Sequence, residues 1–212
     1  MINWTYHFSA DDLKYCMKVS KFRDTMQSNR HPNRKRSKEG ILDSILSGFV
    51  GALGELAISK ISGIRWDGAM LNDEQWLAWM ENSADLGPFE VKTISYPTGK
   101  LILTDSDKDW AIGLLVLADK ARDIGLLVYH GKLIKKRPTA KVLGQLHVTE
   151  AKNIGEKNVH MFSSGKFKIT YVVPQNKLRP VSDVNNFLLK LKNKSKYKPV
   201  KIAGDCPPFY LT

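Results

Sequence analysis

The sequence predicts an α/β fold, and three observations carry that expectation. Residues 41 to 63, "ILDSILSGFVGALGELAISKISG", place Ile41, Leu42, Ile45, Leu46, Phe49, Val50, Leu53, Leu56 and Ala57 at helical spacing. Residues 88 to 96, "PFEVKTISY", and 100 to 104, "KLILT", read as short strands. The runs "AIGLLVLA" and "GLLVYHGKL", separated by "DKARD", are apolar on both faces, as central strands are.

The remaining elements follow in chain order. Ser9 is a good N-cap with Asp12 in the place of a capping-box acid, and Leu13, Met17 and Phe22 give a weak stripe, so residues 10 to 28 read as a helix. "NRHPNRKRSKEG", residues 29 to 40, breaks structure at Pro32, Asn33 and Gly40 and carries Arg30, Arg34, Lys35, Arg36 and Lys38. It reads either as a solvated linker or as a loop that grips phosphates. The helix of residues 41 to 63 has a second stripe of Ser44, Gly48, Gly51, Glu55 and Ser62. Glycine in a helix costs about 1 kcal/mol relative to alanine. Small residues there imply that something approaches closely, and Glu55 is the one charged side chain among them.

"IRWDG" reads as a strand end and a turn, and "DEQWLAWMEN" as a short helix with Trp76, Trp79 and Met80 inward. "PTAKVLGQLH" is expected to be helical, "GKFKITYVV" a half-buried strand, and "SDVNNFLLKLKN" a short amphipathic helix capped by Ser182. A lysine-rich tail, "KNKSKYKPVK", follows. No internal repeat or clear boundary divides the chain. A single domain over 1–212 is expected. Its core is about 41–135, with an N-terminal helix and basic loop (1–40) and a C-terminal strand, helix and tail (136–212).

Lys and Arg number 33 against 21 acids, a net charge of +12 in 212 residues. That excess favours a polyanionic partner, most simply nucleic acid, with an anionic membrane surface as the rival. Two distant cysteines, Cys16 and Cys206, and scattered histidines argue against a zinc site or a disulfide framework. The start "MINWTYHFSADD" does not read as a secretory signal, and "IGLLVLA" is too short to span a bilayer. A soluble intracellular protein, not acting on membranes, is the expectation.

The chemistry concentrates in "ADLGPFEVKT", residues 84 to 93. On a strand Glu90 and Lys92 share a face while Val91 points to the core. Gly87-Pro88 bends the chain so that Asp85 approaches Glu90. Two converging carboxylates repel unless a cation lies between them, and an oxygen-loving divalent ion such as magnesium suits them, with the Val91 carbonyl as a further oxygen. Lys92 would orient a water or neutralise a phosphate. The bland alternative is a solvated edge strand with a cross-strand ion pair. Acid-x-Lys also occurs at Asp12–Lys14 and Glu150–Lys152, but in a predicted helix and in a polar stretch.

The helix "GALGELAISKISG" with Glu55, then Asp85, then Glu90-Val91-Lys92, resembles the PD-(D/E)XK nuclease superfamily over about residues 41 to 130. In order and spacing it is most similar to the branch of mismatch-repair nicking endonucleases and related restriction enzymes. The resemblance implies a restriction-endonuclease-like mixed central sheet flanked by helices, magnesium-dependent phosphodiester hydrolysis, and DNA as partner. Manganese would substitute for magnesium. Asp85 and Glu90 would ligate the metal, Lys92 would position the attacking water or stabilise developing charge, and Glu55 would reach the site through water or a second metal. Asp85 follows Ala84 rather than proline, which leaves Asp67 as a rival first acid. Cutting both strands would favour a homodimer. The expected setting is cytoplasmic, in a bacterial or phage-infected cell or intracellular generally.

Other motifs fall short. Asp105, Asp107 and Asp109 have calcium-loop spacing, but Trp110 and Val116 stand where a glycine and a bidentate acid are needed, so those acids are expected to ring a solvated turn. Lys108 between them is a candidate DNA contact. "HPN", residues 31 to 33, lacks the other histidines of a His-Asn-His site, and no phosphate-binding glycine loop is present. His130 is expected to close an apolar strand. The function expected is a metal-dependent DNA endonuclease; the alternatives are a non-catalytic basic DNA-binding or packaging accessory protein and an inactive relative of the nuclease fold.

Overall fold

The computed structural model describes residues 4–30, 36–66, 68, 83–132, 134, 137–162 and 165–181. Strand β1 (Thr5–His7) leads into helix α1 (Ala10–Arg30) and helix α2 (Lys38–Ser62). Strands β2 (Phe89–Ile94), β3 (Leu101–Thr104) and β4 (Ile112–Ala118) follow, then helix α3 (Ala121–Tyr129) and strand β5 (Thr139–His147). Helix α4 (Val148–Ile154), strands β6 (Glu156–Met161) and β7 (Phe167–Val173), and a 3-10 turn at Gln175–Lys177 complete the described chain.

The architecture is mixed α/β with two sheets flanked by helices. The larger sheet has the order β1-β5-β4-β2, antiparallel except for the parallel pair β2/β4. The smaller sheet, β3-β7-β6, is antiparallel throughout. Strand β4 is buried on both faces, as its unbroken apolar run requires. Ile112, Leu114, Val116 and Ala118 point to the core under α1 and α2, together with Phe49, Leu53, Phe89 and Val91. Leu115 points the other way, into a second cluster with Leu101, Leu103, Leu146, Val148 and Val173. A fully buried side chain such as Phe49 contributes about 2 kcal/mol.

Local signals set the helix ends. Ser9 Oγ accepts the Asp12 N–H while Asp12 returns a bond to the Ser9 N–H, the capping box read from sequence. Ser37 caps α2 by accepting the Gly40 N–H, and Gly63, at φ 73°, closes it by donating to the Ser59 carbonyl. The close approach implied by small residues in α2 is real but shifted. Gly48 lies against Ser20, where a Cβ would come within 2.6 Å of the hydroxyl, and Gly51 meets nothing. The tightest contact is Gly54, where a Cβ would overlap Thr93 on β2.

Several segments differ from expectation: residues 64–66 carry no strand, and the polar stretch of residues 149–158 forms most of α4 and the start of β6. "GLLVYHGKL" supplies most of α3 rather than a strand: Ala121 and Gly125 are its buried residues, Gly125 fits against Phe49, and Leu126 and Leu127 stay half exposed. His130 therefore follows a helix. "PTAKVLGQLH" is β5, not a helix. Ala140 and Val142 face the core under α1 and α2, and across a bulge at Leu143 Gly144 and Leu146 face the second cluster, in a strand fixed by its antiparallel neighbours β4 and β1. The sheet also draws on β1 and β5, outside residues 41–135. The helix read at "DEQWLAWMEN", the helix at "SDVNNFLLKLKN" and the lysine tail lie outside the described residues.

Among the described residues, α2 is the one helix long and apolar enough to cross a membrane, and 56% of its most apolar window is buried within the fold. It packs against α1, α3 and β2, as a core helix does.

Candidate functional site

Strand β2 is an edge of the larger sheet, so one side of its backbone is free of the ladder. The chain enters it through a tight turn, with Leu86 and Phe89 exchanging backbone hydrogen bonds and Gly87 at φ 57°. That turn folds Asp85 back along the strand, where its Oδ2 accepts the Val91 N–H at 2.8 Å. Alternation sends Val91 into the core and puts Glu90 and Lys92 on the opposite face.

Asp85, Glu90 and Lys92 converge as their spacing predicted. Lys92 Nζ lies 3.6 Å from Glu90 Oε2 and 4.0 Å from Asp85 Oδ2. Its closest partner is a residue assigned at sequence level to a solvated turn: Asp107, at 2.8 Å. Asp107 is buried, and its other oxygen accepts the Thr104 N–H at the end of β3. The turn after β3 thus points an acid inward. Its signal was the strand "KLILT" running straight into three alternating aspartates. Glu90, with a side chain only 6% exposed, accepts the Lys108 backbone N–H at 3.1 Å. Asp109, by contrast, pairs with Lys152.

Glu55 stands on the helix side and is already engaged. Arg23 of α1 grips both its oxygens, at 2.9 and 2.6 Å, and Trp66 Nε1 donates at 2.8 Å. Arg23 also donates to the Gly68 carbonyl. Sequence reasoning missed Arg23, although it lies seven residues after buried Cys16, on the inward stripe of α1. Burial opposes charge on Arg23, but the Glu55 carboxylate outweighs it and holds the guanidinium protonated.

Burial is the leading influence on the titration of this cluster. Burial pushes the Asp85 carboxyl up to about 8; Lys92 pulls it down, while the charges of Glu55 and Glu90 add to the rise. Burial likewise raises Glu90 above the usual carboxylate range, against the pull of Lys92. Lys92 itself is held protonated: burial disfavours its charge, and Asp85, Asp107 and Glu90 overcome that. Among the described residues, Glu55 pairs with Arg23, and Asp85, Glu90 and Asp107 gather around Lys92, with the Lys152 ammonium donating to the Asp107 carbonyl.

Among the described residues no group of three or more His, Cys, Asp or Glu side chains is arranged to hold a metal ion. The buried Glu90 and the half-buried Asp85 could hold magnesium, which typically takes one or two carboxylates and completes its shell with water and phosphate.

The basic loop divides. Arg36 is turned inward, bonded through both terminal nitrogens to Asp24 at 2.7 and 3.0 Å, so the expected phosphate contact there is tied to α1 instead. Arg30 ends α1. Arg34 and Lys35, like the rival acid Asp67, lie outside the described residues. Lys108 follows Asp107 at the rim of the acid cluster. Comparison with protein-family models, curated proteins and solved structures finds no match to this chain.

Proposed function

We propose that the chain is a divalent-metal-dependent DNA endonuclease of the PD-(D/E)XK type. The observation that carries this reading is the convergence of Asp85, Glu90 and Lys92 on the edge strand β2, where burial raises both carboxyls. Asp85 and Glu90 would hold magnesium, or manganese in its place. Bound there, the ion supplies Lewis-acid activation of water and positive charge at the phosphate. Asp107 fixes the Lys92 ammonium, which would donate a hydrogen bond to the attacking water or to a phosphate oxygen. The Lys108 N–H fixes Glu90. Glu55 acts behind the site, through its charge on Asp85. The net charge of +12 draws the polyanion in, and a cytoplasmic setting goes with that substrate.

Supercoiled plasmid incubated with magnesium or manganese becomes nicked or linear, and stays intact in EDTA. Asp85→Ala and Lys92→Ala each lower the cutting rate at least about a hundredfold, the scale of losing one preorganised charge partner. Their circular dichroism and DNA affinity stay close to wild type. One observation favours the accessory reading: Lys92 already contacts all three neighbouring carboxylates, as a purely structural ion cluster would. Wild-type protein that binds plasmid but never cuts it, with either metal, decides for that reading.

A further inference from the structure

The β6–β7 hairpin is built unlike the rest of the protein. Sheet pairing of β3 with β7 ends at Thr104↔Thr170, whereas β6 and β7 continue through Val159↔Ile169, His160↔Lys168 and Met161↔Phe167. That two-stranded extension is about 10 Å long at ~3.3 Å per residue. It leaves the smaller sheet at the end where β3 turns into Asp105–Asp107, and Tyr171 at its root donates to Asp105 Oδ1 at 2.9 Å. The arm therefore begins beside the acid cluster.

Its side chains are of two kinds. Val159, Met161, Phe162 and Phe167 are 58%, 79%, 52% and 65% exposed. Val159, Met161 and Phe167 share a face with Tyr171 and Val173, continuing the face that forms the second core beyond the point where other described residues cover it. Lys157, His160, Lys166 and Lys168 are exposed along the same arm, against one acid, Glu156. Lysines alone would be explained as protection of a free strand edge. They do not explain two phenylalanines and a methionine in water, which a lone two-stranded ribbon has no folding reason to display.

We propose that this hairpin is a DNA-binding arm, its lysines on phosphates and its Phe162, Phe167 and Met161 wedged against bases, holding duplex beside the Asp85–Glu90–Lys92 cluster. The inference rests on the endonuclease reading for the identity of the polyanion. Charge complementarity selects DNA over a protein partner. Exposed apolar side chains that unstack a base step, flanked by phosphate contacts, are the means by which narrow protein elements grip a duplex.

The test uses the full chain, a fluorescein-labelled duplex and EDTA, so that binding is read without cutting. Lys157→Ser, Lys166→Ser and Lys168→Ser together are expected to lower the slope of log affinity against log salt by about two to three. Phe162→Ala with Phe167→Ala is expected to weaken binding at least roughly tenfold. The same pair abolishes the fluorescence rise of a 2-aminopurine placed in the duplex. Both variants keep the wild-type circular dichroism, since every altered side chain is exposed. Duplex binding by wild type with unchanged affinity and slope in both variants overturns the arm and leaves the endonuclease reading standing. Wild type that sediments as a dimer, made monomeric by the phenylalanine pair without loss of DNA affinity, assigns the face to a second copy and also overturns it. Wild type that binds no duplex overturns both proposals, whereas arm-dependent binding without metal-dependent cutting upholds the arm and sinks the nuclease.

Discussion

Two buried ion clusters lie on either side of β2, and they solve the same problem differently. Behind the strand, Glu55 meets one guanidinium in a two-pronged pair and an indole N–H besides, so every charge has its counterpart. In front of it, a single ammonium is shared among Asp85, Glu90 and Asp107. The first arrangement is closed and needs nothing further. The second holds two carboxyls that burial raises above their ordinary range, and on the proposed reading a bound cation would favour their ionised form. On the proposed reading, the first cluster is held by its own pairing and the second would receive the cation.

The largest effect that sharpens this contrast is at Arg23. Arg23→Ala leaves a buried carboxylate uncompensated and is expected to destabilise the fold by about 3–5 kcal/mol, read from a denaturant midpoint. Arg23→Met with Glu55→Leu should recover most of that loss. If the double variant is as unstable as the single, Glu55 is not simply a structural partner.

Next in size is the effect of metal on the front cluster. Manganese at a hundred times its dissociation constant is expected to stabilise the wild type by about 2.7 kcal/mol and to raise its melting temperature. Asp85→Asn should abolish that rise, while Glu55→Gln should retain most of it. Equal loss in both variants would erase the distinction between the two clusters.

A smaller effect follows from pH in the metal-free protein. The Asp85 carboxyl titrates at about 8 when folded, against an ordinary value of 3.8, so the folded state binds its proton more tightly. The corresponding stability is full below about pH 4 and is lost as pH rises toward 8. Asp85→Asn should flatten melting temperature against pH across that window; a wild-type profile already flat there would show that Asp85 is not strained.

The smallest effect is at the exposed Asp43–Arg122 pair, whose side chains are 64% and 45% exposed. Arg122→Ala is expected to change stability by less than about 1 kcal/mol, measured in the same melts. A larger loss would mean that exposure does not separate this pair from the buried ones.

Legibility in the sequence tracked how local the deciding interaction was. The Ser9–Asp12 box, the long α2 and the convergence of Asp85, Glu90 and Lys92 all depend on residues within one turn or one strand of each other. The segment of α3 read as a strand because Leu126, Leu127 and Val128 are consecutive apolar residues, which short windows cannot distinguish from a central strand. Its fate was settled by Gly125 fitting against Phe49. Strand β5 read as a helix because Ala140, Leu143 and Gly144 interrupt its β-branched character; β1 and β4 on either side make it a strand.

By itself, then, the sequence determined the α/β class, the Ser9–Asp12 cap and the grouping of an acid, a turn and an acid-x-lysine strand, because backbone alternation and capping act over a few residues. Tertiary structure decided the counter-charges. Arg23 comes to Glu55 from α1, Asp107 comes to Lys92 from the turn after β3, and Arg36 is drawn to Asp24. A charge buried by folding takes whichever opposite charge the packed elements bring within reach, and that choice is made in space, between residues far apart in the chain.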